Sequence, residues 1–388
     1  MSAINDDSME QVDQLLSRPN QIWLLGAGIS KDAGLPLMAA LTTRVLEMSE
    51  AKPHKNLLES LRAELPANAH IEHLLSHLGD YTTLALRNAS KQVSINGGIY
   101  DASALEDAHK LIASDIAYTI RWGYKVEDGS APQAGSSETP IVSAEYHQRF
   151  VHALLGKRQA GISERRKPVP LFTTNYDTLL EDALALGQYS YWDGFSGGAV
   201  AFRTHRYGQR EPESGCRAAV IKLHGSIDWF LGEDGNVWRV RDVDLYPART
   251  GRVLIYPQAT KYIATQRDPF ASQFSLFREA LANSGENVLA ICGYSFGDEH
   301  INQEIELALS SPENKTTLVA FCCDFGSFPQ ILNTWRESTW GRRVYVLTER
   351  GLYAGSQGPL CEPAIGERNW WTFGGMTAFL ESGYEGVV

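Results

Sequence analysis

The chain alternates between two textures of apolar and polar positions. Residues 7–17 carry a helical pattern, and "QIWLL" at 21–25 reads as a short buried strand. From residue 30 to about 124 the spacing is mostly helical. "NLLESLRAEL", "IEHLLSHLGDYTTLAL" and "ALEDAHKLIASDIAYTI" each repeat apolar residues every three or four positions. The stretch "KVEDGSAPQAGSSETP", 125–140, is rich in Gly, Ser, Pro and acid and predicts a mobile surface loop or linker. A further helix is expected over about 141–156. From 168 onward, apolar runs such as "VPLFTTN", "AAVIKLHG", "RVLIYPQ", "NVLAICGYS", "TTLVAFCCD" and "RRVYVLTE" alternate with helical stretches.

Strands alternating with helices predict a parallel sheet covered on both faces. The strand at 21–25 lies far in sequence from its expected partners. The pattern therefore predicts one doubly wound, Rossmann-like α/β domain, residues 1–45 and 157–350. A helical insertion, 46–156, follows its first βα unit, and 351–388 form an aromatic-rich C-terminal extension that could pack on the core or on another subunit.

Composition narrows the classes. The 388 residues are 43% hydrophobic and 21% charged, an ordinary globular balance. No 18-residue apolar run and no signal-peptide core are present, so the expectation is a cytoplasmic protein with no membrane contact. A net charge of −11 gives no global reason to bind nucleic acid. The basic run "SERRKP", 163–168, reads as a solvated loop before a strand. Five cysteines, Cys216, Cys292, Cys322, Cys323 and Cys361, include no CxxC pair and suggest neither a disulfide framework nor a zinc ribbon.

Ligands of such sheets sit at the carboxyl ends of the strands, and four strand ends carry suitable residues. Gly26-Ala27-Gly28-Ile-Ser30 has the glycines and helix start that favour an anion, although Lys31 stands where a redox fingerprint needs a third glycine and no P-loop lysine follows. Asn175 and Asp177 close the run "PVPLF"; Asp177 fits a helix cap, whereas an amide at Asn175 can hold water or a carboxamide. His224, in "KLHGS", is placed for general-base work near neutral pH. "GYSFG", 293–297, matches the nucleophile elbow of serine hydrolases, but chain order opposes a triad because His300 is the only histidine after Ser295. Gly293 and Ser295 read better as a second anion-binding turn.

Taken together, "GAGISKDAGLP", "TTNYD", "KLHGS" and "GYSFGD" resemble the sirtuin fold family, and most closely its bacterial sirtuin-like branch of antiphage defence. The resemblance covers roughly 18–45 and 165–350. It implies NAD as a consumed substrate, with no metal. Gly26, Ala27, Gly28 and Ser30 match the nucleotide loop, and Asn175 and Asp177 match the family's Asn-x-Asp near the nicotinamide ribose. His224 matches the catalytic histidine. Gly293 and Ser295 match the adenosine-side turn, and Asp298 is grouped with them as cofactor-binding. In the longer string "GYSFGDEHIN", Asp298, His300 and Asn302 form a recurrent tail.

Two departures point away from deacetylases. Pro36 is followed by Leu37-Met38-Ala39 rather than by the aromatic and arginine of the deacetylase lid, and no cysteine lies between Cys216 and Cys292, where the zinc module would stand. The expected reaction is hydrolysis of NAD to nicotinamide and ADP-ribose, with Asn175, His224 and Asp177 as the catalytic set. The alternatives are a deacylase or ADP-ribosyltransferase at the same site, or a non-catalytic nucleotide-binding subunit. The resemblance further suggests a homo-oligomer and a controlling partner: a HerA-like ATPase first, then an Argonaute or a phage protein.

Overall fold

The computed structural model describes residues 6–127, 129–159, 167–205, 215–241, 249–254, 268–282, 285–324, 328–360 and 369–383. Most of the basic run 163–168, and Cys361, lie outside them.

Eight strands form the central sheet: β1 (Gln21–Leu25), β2 (Val169–Thr173), β3 (Tyr191–Trp192), β4 (Ala218–Lys222), β5 (Val288–Cys292), β6 (Thr317–Phe321), β7 (Val344–Thr348) and β8 (Gly351–Ala354). Their spatial order is β8-β7-β6-β5-β1-β2-β4-β3. All neighbours are parallel except the β7–β8 hairpin. The inner strands are buried on both faces, which is why β1, β4 and β5 read as near-continuous apolar runs, with Gln21 and Lys222 at their ends, rather than alternating ones.

Among the described residues, eleven helices accompany the strands: α1 (Asp6–Leu15), α2 (Met38–Ser49), α3 (Lys55–Glu64), α4 (Ile71–Arg87), α5 (Ala102–Trp122), α6 (Glu145–Val151), α7 (Leu179–Leu186), α8 (Phe270–Ala282), α9 (Glu299–Ser310), α10 (Gln330–Glu337) and α11 (Phe373–Ser382). One apolar cluster, including Met9, Phe150, Leu154, Trp370 and Phe379, covers one face of the sheet. A second, including Phe277, Ile301, Leu309 and Trp335, covers the other. The doubly wound α/β arrangement is thus the one expected.

Several local expectations change. The helix expected over 141–156 begins at Glu145 and passes into a π-helical turn over His152–Arg158. The stretch expected as a mobile loop is pinned, because Tyr124–Lys125 pairs antiparallel with Gln133–Ala134. A second hairpin, Gln92–Ile95 with Gly98–Asp101, interrupts the helices that lie between β1 and β2 in the chain. Beside the main sheet lies a five-stranded antiparallel sheet built from Phe195–Gly197, Val200–Arg203, Gly225–Gly232, Val237–Val240 and Arg249–Leu254. The start of the run "RVLIYPQ", Arg252–Leu254, therefore belongs to this small sheet, paired with Gly225–Gly232, and the rest of the run lies outside the described residues. The chain after residue 350 supplies the edge strand β8, and α11 packs into the main core.

Candidate functional site

The register sets the site. Lys222 pairs with Thr173, Thr173 with Leu25, and Leu25 with Cys292, so four adjacent strands end on one row. The loops that follow them leave the sheet at the same level. From β1 the chain proceeds to β2 on one side, whereas from β5 it proceeds to β6 on the other. The crevice between β1 and β5 is thus the point where strand order reverses, and ligands bind at such points.

Neighbouring loops touch in a closed ring. At the switch point, the Gly28 N–H donates to the Gly293 carbonyl at 2.8 Å, and the Gly26 N–H donates to that of Cys292 at 3.0 Å. A Cβ on Gly28 would lie 2.7 Å from Gly293 Cα, and one on Gly293, whose φ is +68°, would lie 2.5 Å from the Ile29 nitrogen. Only glycines allow this backbone-to-backbone approach. These glycines serve loop packing directly, and the Gly26 and Gly28 N–H groups are engaged with the β5 loop.

The first loop meets the second through buried polar groups. Ser30 Oγ donates to Asp177 Oδ2 at 2.8 Å and accepts from Asn175 Nδ2 at 3.1 Å. The other Asp177 oxygen accepts from the Leu179 N–H at 3.0 Å, so Asp177 does hold the start of α7. Both Asp177 oxygens are thus engaged within the protein. Asn175 Oδ1 is buried and, among the described residues, has no hydrogen-bond donor. A buried amide acceptor without a donor is costly unless something supplies one.

Two further members of this network carried no sequence signal. His147 of α6 is fully buried, and its Nε2 lies 3.4 Å from Ser30 Oγ. The single hydroxyl proton of Ser30 goes to Asp177, so His147 can approach only as a donor, with the proton on Nε2. Burial pushes its pKa down to about 4, against the opposing charges of Asp177 and Asp182. Lys222, buried at the end of β4, donates to the backbone carbonyl of Asp177 and, at 3.5 Å, to that of Asn175. It also pairs with Glu181 of α7 at 3.5 Å. Burial pushes the Glu181 carboxyl up to about 7, opposed by Lys222 and Arg241. A buried lysine within an apolar strand thus clamps the turn that carries Asn175.

The second loop meets the third where the Ile227 N–H and Ser226 Oγ donate to the Tyr176 carbonyl, at 2.9 and 3.3 Å. The third meets the fourth at His224. Its buried ring stacks on that of His300, with centroids 5.6 Å apart and planes inclined by 29°. Asp298, His224 and His300 each place a ligand-capable atom within 4.8 Å of the other two. Asn302 braces the same loop by donating to the Phe296 carbonyl at 2.8 Å, which gives the tail of "GYSFGDEHIN" a structural role.

The elbow reading of "GYSFG" fails on geometry. A nucleophile elbow holds its serine in the strained conformation. Here the positive φ falls on Phe296, at +59°, and not on Ser295. Ser295 is exposed, and its Oγ accepts from the Gly297 N–H at 3.3 Å. A cavity of about 320 Å³, lined by Asn20, Lys167, Cys216 and Arg217 among others, opens at the opposite, amino end of the strands.

Residues 170–338 match the family model described as "SIR2-like domain". The SIR2-like segment thus spans three of the four strand-end loops, and the first loop, at Gly26–Ser30, lies outside it. No curated protein matches the chain. Among solved structures, a mutant Sir2 homologue in complex with ADP-ribose is 12% identical, covers 96% of this chain and 94% of its own, and has a TM-score of 0.38. A Sir2 homologue in complex with NAD is 13% identical, covers 81% and 82%, and has a TM-score of 0.34. No helix among the described residues is long and apolar enough to cross a membrane.

Proposed function

We propose that the chain hydrolyses the nicotinamide–ribose bond of NAD, releasing nicotinamide and ADP-ribose. The observation that carries this reading is the closed ring of four strand-end loops at the switch point, with Asn175 and His224 buried in it. The SIR2-like match over 170–338 supports the choice of NAD.

In this reaction the C–N bond breaks and its electron pair leaves with the nicotinamide ring, neutralising the ring's positive charge. The ribose passes through an oxocarbenium-like state, and a water oxygen forms the new C–O bond. The protein must place that water and accept its proton. Asn175 Oδ1, the buried acceptor without a donor, orients the water or a ribose hydroxyl. His224 accepts the proton. Asp177 and Ser30 hold Asn175 in place, and Lys222 fixes its turn. Gly26, Ala27, Gly28, Gly293, Ser295 and Asp298 border the crevice for the dinucleotide.

The same reading places the reaction in antiphage defence, where loss of cellular NAD halts the infected cell. A cell must hold such an enzyme off, so its activity answers to a trigger, for which a HerA-like ATPase acting on a homo-oligomer is the first candidate. The test is nicotinamide release from NAD by purified protein, with and without that partner. Asn175→Ala and His224→Ala should each lower the rate by about 100-fold or more, the scale of a general base, with unchanged circular dichroism. Full activity in both variants would remove the assignment. Turnover of acyl-lysine peptides would point to a deacylase, and ADP-ribose binding without turnover to a non-catalytic subunit.

A further inference from the structure

The His224–Asp298–His300 cluster offers chemistry beyond the proton transfer assigned to His224. His224 follows β4, Asp298 immediately precedes α9, and His300 is the second residue of that helix. Among the described residues these three form the one group of His, Cys, Asp or Glu side chains close enough to hold a metal ion. Phe274 of α8 packs against the His300 ring, with centroids 5.2 Å apart.

Two imidazoles and one carboxylate form the donor set of open zinc sites, in which an exchangeable ligand takes the fourth position. Magnesium and calcium prefer shells of oxygen, which this group does not offer. Tetrahedral bonds of about 2.0–2.1 Å place ligand atoms roughly 3.3 Å apart, so the present spacing of up to 4.8 Å must close by about 1.5 Å at most. Asp298 and His300 are only half-buried, and rotation of their side chains supplies that movement. The surrounding loop does not need a metal to hold its shape. Asn302 already bonds the Phe296 carbonyl, and the Tyr294 hydroxyl donates to the Asp298 carbonyl at 3.2 Å. An ion here would therefore come and go without unfolding the loop.

We propose that His224, Asp298 and His300 bind a zinc ion, and that the bound ion switches off NAD cleavage by occupying the His224 nitrogen that must accept the proton. The switch rests on the reading of His224 as general base; the metal site rests on the three side chains alone. Full-length protein stripped with chelator should bind one zinc ion per chain in competition with a fluorescent chelator. Cobalt in its place should give the visible absorption of a tetrahedral site. His300→Gln and Asp298→Asn should each weaken zinc binding by tenfold or more, whereas Cys216→Ser and Cys323→Ser should leave it unchanged. Zinc should inhibit nicotinamide release. The inhibiting concentration should rise at least tenfold in His300→Gln, each protein being compared with its own zinc-free rate. No zinc binding at micromolar concentration, or binding lost with the cysteines and kept in His300→Gln, would overturn the site. Zinc bound without inhibition would overturn the switch. If zinc-free protein cleaves no NAD with or without its partner, the general-base reading falls and the switch with it, while the binding measurements still decide the metal site.

Discussion

At the scale of single residues, the Ser30 hydroxyl holds two loops together. It donates to Asp177, accepts from Asn175 and faces the His147 ring, all within a buried network. Ser30→Ala leaves an Asn175 donor and an Asp177 oxygen without this partner, a loss of about 1–3 kcal/mol for buried groups. The expected result is a lower melting temperature together with slower nicotinamide release, measured on the same preparation. His147 predicts a pH dependence. Its folded pKa, about 4, lies below the usual value of 6.5, so between these values the unfolded chain binds the proton and the folded chain does not. The stability linked to this residue is full above pH 6.5 and is lost as pH falls towards 4. Between pH 7 and 5 wild type should lose about 2 kcal/mol more than His147→Gln in urea unfolding. Equal losses would mean that the ring is not held neutral. Asn175, Asp177 and His224 stand out in the sequence because a polar group directly after an apolar run is poorly explained by strand propensity. His147 and Lys222 do not. His147 lies 117 positions from Ser30 inside an ordinary amphipathic helix, and Lys222 is one cation in the run "AAVIK".

At the scale of elements, the parallel sheet was legible because burial on both faces writes each strand as a near-continuous apolar run. The small antiparallel sheet was not. Three of its strands are short and carry glycine or arginine, and its pairing depends on partners that sequence periodicity does not reveal. "RVLIYPQ" reads like a core strand, yet its first residues, Arg252–Leu254, pair with the strand Gly225–Gly232 that begins inside the HGS motif. The hairpin pinning 124–134 was hidden by a loop-like composition. The GxG of the first loop was legible as a motif, but its physical reason shifts with the structure, from approach to phosphate towards approach to the Gly293 backbone. Gly28→Ala should therefore force the first and fourth loops apart, because the new Cβ meets backbone rather than a flexible side chain. Nicotinamide release should fall at least tenfold, and the melting temperature should drop, while far-UV circular dichroism stays close to wild type. A variant with native activity and stability would show that the two loops are not locked together.

At the scale of the whole molecule, the boundary between insertion and sheet domain is easy to draw in the sequence and hard to find in the packing. Leu58, Leu75, Leu78, Ile112 and Ile116 of the insertion share one apolar cluster with Ala33, Leu35, Tyr176, Leu179 and Ile227 of the α/β part. The Tyr176 hydroxyl donates to Glu72 of α4 at 2.9 Å, and the N–H groups of Tyr124 and Ser143 donate to the carbonyls of Gly34 and Ala33. Tyr176 stands between Asn175 and Asp177, so the insertion grips the loop that carries the proposed water-orienting amide. Shared burial of this kind couples unfolding, because neither part can lose its neighbour without exposing its own apolar surface. Scanning calorimetry should therefore show one heat-absorption peak, and replacing 46–156 by a short Gly-Ser linker should give a chain without cooperative melting. Two separate peaks, or a deletion variant that melts cooperatively, would show instead that the insertion is an independent unit. Tyr176→Phe tests the same coupling more gently. It removes the hydroxyl that reaches Glu72 and keeps the ring, so a fall in kcat with little change in KM would place the insertion in the alignment of Asn175 rather than in the binding of NAD.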